Sequence, residues 1–400
     1  MRWLLCLLAA LAGSTLANDF ATLYAPAQLD RTRERTVPGV LANFRDVVWP
    51  ALTAAEREQL GQVDLSFPAL GPNGPLDFYA TAPPATINLP LTSLRFYADI
   101  CLAAASLNRT GQSPQPVYDY LAMLKHRPAA DFADDRYPAP LAALGIPESA
   151  RDDPRLDQIF YHCYASTVVF ILGHELAHLY YQDPGYAPGV PRAVAKRNET
   201  RADAFALELM RRLAAPPIGT PVFFMALAHL EANRYDFRTE AEFQAALAEA
   251  THPLTSARLR AIAGALRERA ADFARADADP GATRDSLSQV GSEIERIAAL
   301  LDDPDIQQGI GLTAQSTDPA VFVQRHSPPV TGAHGTLQRF SGRYRGKILD
   351  AQGVAMSVEV VLERLGNQVS GHYAFGMGDG VISDGVIRDE VLYYNWRWGS

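Results

Sequence analysis

The chain has 400 residues, 48% of them hydrophobic and 20% charged, a length for two or three domains and a composition that excludes wholesale disorder or a fibrous repeat. Its formal net charge of -9 leaves no basic surplus to displace counterions, which excludes nucleic acid as a main partner. Lys125, Lys196 and Lys347 are the only lysines among many arginines, a bias that points to a GC-rich bacterial genome.

Arg2 is followed by an apolar stretch over 3–11 and by the small-residue site Thr15-Leu16-Ala17, so residues 1–17 read as a signal peptide. The stretch is too short for a comfortable membrane span. The expected location is the bacterial periplasm or outside the cell, with no membrane span after cleavage. Two cysteines remain, Cys101 and Cys163. In an oxidising compartment they form either a disulfide or two buried thiols, and spacing alone does not decide.

Residues 18–75 read as short amphipathic pieces broken at Pro38-Gly39 and over 71–75. Two short strands over 76–80 and 85–89 flank Pro83-Pro84. A helix starts at Leu91, with Leu94, Ala98, Cys101 and Leu102 on one face through about Leu107. Residues 110–155, rich in Pro, Asp and Ala, predict short helices and loops. The strongest helix covers 156–181. Its apolar run over 168–172 is interrupted by Gly173-His174-Glu175 and His178, well short of a membrane span, so it reads as a buried core helix. Asp183-Pro184-Gly185 stops it. Asn198 reads as the N-cap of a helix over 199–214, and further helices are predicted over 221–233, 240–250, 255–276 and 283–301.

After Pro304 the character changes. Residues 303–337 read as a loop-rich linker, and from 338 the pattern alternates, with strands over 342–348, 357–364, 369–375, 381–388 and 391–398. Tyr394, Trp396 and Trp398 alternate as in a half-buried strand, a core pattern rather than a carbohydrate platform. The strand that ends at Trp398 would leave a bare aromatic edge, so this domain is expected to be incomplete as given, its edge covered by further chain or by another surface. The expected fold class is α+β: a mainly helical domain over 18–302, a linker over 303–337 and a small antiparallel β-rich domain over 338–400.

The chemistry concentrates in His174-Glu175-Leu176-Ala177-His178. An i,i+4 pair of imidazoles lies on one helical face, one turn apart, where both can reach one metal ion, and the glutamate lies beside them to serve as a base. Two histidines and a glutamate inside an apolar helix need partners, because burying them idle would be costly. A catalytic zinc site needs a third protein ligand and an open position for water. Glu199 and Asp203, again i,i+4, offer carboxylates on the following helix. Acidic residues also favour helix N-termini for the macrodipole alone, so this pair by itself leaves both readings open.

The HELAH and NETRAD segments together resemble the gluzincin metallopeptidases, in which a downstream helix supplies a glutamate ligand at a separation similar to that in thermolysin-like enzymes. A finer resemblance is to the HtpX, OMA1 and CaaX-prenyl endopeptidase family, through HExxH, then ExxxD, then Thr251-His252-Pro253 with Arg258 following. It covers about residues 76–265 and implies a zincin-like fold for the helical domain. The chain departs from that family in lacking membrane helices and in its short loop before the glutamate. The resemblance implies one Zn2+ per chain on His174, His178 and Glu199, with Asp203 orienting a ligand histidine. It also implies Glu175 as general base and His252 near the oxyanion, with Tyr180 and Tyr181 as weaker candidates for that donor. The implied activity is hydrolysis of peptide bonds in a protein or peptide substrate, in a chain whose oligomeric state stays open. The rival readings are a catalytically inactive exported binding protein, with the β domain as its binding module, and a purely structural metal site. The complete set of Glu175, Glu199 and Asp203 argues against the first, and an open coordination position argues against the second.

Overall fold

The structure is a computed structural model describing residues 20–109, 113–183, 192–249, 254–276, 279–326, 342–349, 355–365, 368–375, 378–388 and 391–398. The expected signal segment, His252 and residues 327–337 of the expected linker lie outside the described residues. The chain divides into two compact units, residues 1–328 and 329–400.

The first unit is mainly helical. Its longer helices are α1 (Pro26–Asn43), α2 (Ala54–Leu60), α3 (Leu91–Arg109), α4 (Gln115–His126), α5 (Pro154–Tyr180) and α6 (Arg192–Leu213). They are followed by α7 (Thr220–Leu230), α8 (Glu240–Glu249), α9 (Ser256–Glu268), α10 (Pro280–Asp302), α11 (Pro304–Ser316) and α12 (Pro319–His326). A three-stranded sheet of β1 (Asp64–Ser66), β2 (Tyr79–Thr81) and β3 (Thr86–Asn88) has the order β1-β3-β2, with β3 parallel to β1 and antiparallel to β2. Strand β1 was not expected; three residues carry too little alternation to register.

Three sequence expectations are corrected here. Pro38 does not break the chain but sits inside α1. An interior proline costs roughly 3 kcal/mol, and burial of Val40 and Phe44 just beyond it offsets that, at about 1.5–3 kcal/mol for each side chain. Asn198 is not an N-cap. Helix α6 starts at Arg192, because 192–198 is built largely of Ala, Arg and Lys, good helix formers. The Asn198 side chain accepts instead from Arg201 Nη2 at 3.2 Å.

The expected linker contains two helices over 304–326. Asp303 accepts from the backbone N–H groups of Asp305 and Ile306 at 2.9 and 3.1 Å, with Pro304 in the first turn. Asp318 accepts from Ala320 N–H at 2.8 Å ahead of α12, which opens with Pro319. These Asp-Pro pairs are helix starts rather than linker turns. Both helices join the first unit: Ala314 and Phe322 are buried in its core, and Arg127 Nε donates to Ala314 O at 2.8 Å.

Helix α5 is the axis of the core. It buries Val168, Phe170, Ile171, Leu172, Leu176 and Ala177, and its apolar residues surround it rather than forming one stripe, as expected of a helix packed on several sides. Its C-terminus closes in a Schellman turn: Asp183 N–H reaches His178 O at 2.9 Å and Gln182 N–H reaches Leu179 O at 3.2 Å, with Gln182 at φ 52°. Gln59 Nε2 adds a bond to Tyr180 O at 2.6 Å. No helix among the described residues is long and apolar enough to cross a membrane.

The second unit is a five-stranded antiparallel meander in the order β4 (Gly342–Leu349), β5 (Ala355–Leu365), β6 (Gln368–Phe375), β7 (Gly378–Arg388) and β8 (Val391–Trp398). Each strand pairs with the next, with register shifts between Val369 and Gly371 and between Ser383 and Val386. Trp396 pairs with Ile382, and Trp398 with Gly380. The fold is therefore α+β, a mainly helical unit with a small β-rich unit after it.

Candidate metal centre

Helices α5 and α6 pack along each other, and the site forms where their polar residues meet. His174 and His178 stand one turn apart on α5, with ring Nε2 atoms 3.1 Å apart. Glu199 reaches both: Oε2 lies 3.3 Å from His174 Nε2 and Oε1 lies 3.5 Å from His178 Nε2. These ligand atoms all lie within 4.8 Å of one another. Bonds of about 2.0–2.1 Å in a tetrahedral zinc site would put neighbouring ligand atoms about 3.3 Å apart, close to the spacings found.

Glu199 sits eight residues into α6, beyond the first turn over which the macrodipole acts. Its side chain is 2% exposed, so helix-end electrostatics do not account for it.

Each histidine is held from behind. Asp203 Oδ1 lies 2.9 Å from His174 Nδ1, and Asp183 Oδ2 lies 2.9 Å from His178 Nδ1. A carboxylate at Nδ1 keeps the proton there and turns the Nε2 lone pair toward the common point. Asp203 was expected, from the resemblance, to orient a ligand histidine. Asp183 was read only as a helix stop; its role depends on the Schellman turn, which folds it back over His178.

Two arginines complete the shell. Arg258, buried at the start of α9, bonds Asp203 and also lies 3.1 Å from Glu199 Oε2. Arg201 bonds Asp183 and stacks over the Tyr181 ring at 3.9 Å. Burial disfavours a charged His174, but Asp203 and Glu199 outweigh it and hold its pKa up at about 10. Burial likewise opposes ionisation of Asp203, and Arg258 with His174 overcomes it and lowers that carboxyl.

With both histidines neutral, as they must be to bind a metal, Glu175, Asp183, Glu199 and Asp203 against Arg201 and Arg258 leave a formal surplus of two negative charges, which a divalent cation would neutralise. The donor set, the spacing and the charge all fit zinc.

Among the described residues, Gly173 has a role the sequence did not signal. A Cβ there would lie 3.0 Å from Ala206 Cα and 3.2 Å from Leu209 Cδ2, so the missing side chain lets α5 and α6 approach one residue before His174.

His174 and Glu175 line a cavity of about 700 Å3 whose walls include Phe78, Phe170, Phe223 and Leu227. Tyr180 and Tyr181 are not among its described lining residues. Tyr180 packs on Phe205 at 5.6 Å, and Tyr181 supports Arg201.

The model of the family described as Peptidase U49 matches residues 112–276, the span that contains every ligand candidate. No curated protein and no solved structure matches the chain. Over those 165 residues the chain is similar to a peptidase family, which supports a protease.

Proposed function

We propose that this protein is a zinc-dependent endopeptidase of the gluzincin type, exported to the periplasm or the exterior of a bacterial cell. The observation that carries the reading is the convergence of His174, His178 and Glu199 on one point, inside a span similar to a peptidase family. A zinc ion held there would supply Lewis acidity, polarising the scissile carbonyl and lowering the pKa of water at the open coordination position to roughly 7.

The chain's own residues do the rest. Glu175, next to His174 in the chain and lining the same cavity, takes the proton of the attacking water and returns it to the leaving amine. Asp203 and Asp183 fix the tautomers of His174 and His178. The aromatic wall beside Glu175 excludes bulk water and seats an apolar part of the substrate. His252, by the family resemblance, donates to the developing oxyanion without binding the metal.

The test is metal analysis of the purified protein together with hydrolysis of unfolded casein by wild type and Glu175→Gln. About one zinc per chain, retained in the variant while hydrolysis disappears, is expected. Equal activity in the variant would remove Glu175 from the mechanism, and a wild type free of zinc would remove the metal.

A further inference from the structure

Helix α5 carries a second reactive group eleven residues, about three turns, before His174. Cys163 Sγ lies 2.9 Å from Cys101 Sγ on α3. That is about 0.9 Å longer than a covalent S–S bond, so both thiols already occupy the space a disulfide would take. Both are free cysteines here.

The surroundings hold the pair in place. Cys101 is fully buried in the core that α3 shares with α5. Tyr97, one turn earlier on α3, sends its hydroxyl to Thr167 Oγ1 at 2.7 Å and to Gly219 O at 3.2 Å, and lies 3.9 Å from Cys163 Sγ. Thr167 in turn donates to Cys163 O at 3.0 Å. Gly219 packs so closely on this turn that a Cβ there would fall 1.9 Å from Cys163 O. Neither helix can slide past the other without breaking this set.

We propose that Cys101 and Cys163 form a disulfide that ties the helix bearing His174 and His178 to α3. The bond would close a loop spanning 62 positions between α3 and α5, a length at which a cross-link removes much unfolded-chain entropy. The inference stands whether or not the chain is a peptidase.

The chemistry is thiol–disulfide exchange with a small disulfide such as oxidised glutathione. Cys163 is the entry point: it is partly exposed, and its hydrogen bond from Cys101 lowers its pKa, favouring the attacking thiolate. Its sulfur attacks the donor, one donor thiol leaves, and a mixed disulfide forms. Cys101 then loses its proton and attacks Cys163 Sγ, releasing the second donor thiol. The two protein thiols give up two electrons and two protons, and the donor is reduced by the same amount.

The full chain is equilibrated in oxidised glutathione, denatured, alkylated without reduction and mapped by peptide mass. The expected product is a Cys101–Cys163 linked pair lighter by two hydrogens, with neither thiol alkylated. Reduction of the folded protein should lower Tm by about 3–7 °C. Cys163→Ser should melt at one temperature with and without reductant. Two alkylated thiols in the oxidised protein, or a link of either cysteine to Cys6, would overturn the pairing. A linked pair with unchanged Tm on reduction would overturn the clamp.

Discussion

Arg258 grips Asp203 with two hydrogen bonds, Nε to Oδ2 at 2.5 Å and Nη2 to Oδ1 at 2.8 Å, and turns its remaining Nη1 toward Glu199 at 3.1 Å. One buried cation thus serves both the candidate ligand carboxylate and the carboxylate that bonds His174. The position 55 residues beyond Asp203 gives no local hint of this.

Removing that cation should be expensive. Arg258→Met takes from two buried carboxylates the cation they share, leaving only the histidines beside them, and a loss of about 3–5 kcal/mol is expected in urea unfolding of the metal-free protein. Arg258→Lys should fall between, because an ammonium cannot reproduce the two-pronged bond. A loss below about 1 kcal/mol in Arg258→Met would mean that water reaches these carboxylates.

Asp183 should matter to the metal more than to the fold. Asp183→Ala is expected to weaken zinc binding roughly 10–100-fold in a chelator competition, the usual cost of losing a carboxylate behind a ligand histidine. Asp183→Asn, which still accepts from Nδ1–H, should recover part of it. Glu199→Ala, which removes the proposed third ligand, should cost more than either. Unchanged affinity in Asp183→Ala would show that the Schellman turn alone orients His178.

Gly173 sets the distance between the two ligand-bearing helices. Gly173→Leu should overpack the α5–α6 contact, costing about 1–3 kcal/mol, and should weaken zinc binding by moving Glu199 away from the histidines. In Gly173→Ala a gain of about 1 kcal/mol in helix propensity opposes a milder clash. Thermal melting and zinc titration of both variants separate the effects; full zinc affinity in Gly173→Leu would contradict the spacing argument.

His229 should make the protein acid-sensitive well above the range where carboxylates titrate. Its ring is buried, stacks on Tyr118 at 5.2 Å, and bonds Met225 O through Nδ1 at 2.9 Å. Burial first, with Lys125 and His126 adding, pushes its pKa down to about 4. An unfolded histidine titrates near 6.5, so between about pH 6.5 and 4 the unfolded chain binds a proton that the folded chain refuses. Stability therefore falls as pH drops through that window, by about 3 kcal/mol from this group. His229→Gln should flatten the slope in urea unfolding between pH 7 and 4.5. Identical slopes would mean that the folded protein accepts the proton.

The sequence by itself determined what is local. The four-residue spacings of His174 with His178 and of Glu199 with Asp203 fix which side chains share a helical face, because helical geometry depends on nothing farther away. The order of a helical region and then alternating strands was legible for the same reason.

Features that depend on distant partners were not. Pro38 looked like a break because the burial that offsets it is tertiary. Asp303-Pro304 and Asp318-Pro319 looked like linker because their helices gain stability only by docking Ala314 and Phe322 into the core. Asp183 looked like a stop signal because its value lies in a backbone turn that returns it to His178. The distance from Glu199 to the histidines, the grip of Arg258 and the meeting of Cys101 with Cys163 were likewise decided by packing. Each joins residues on separate helices, and only the filled core between those helices sets how far apart they stand.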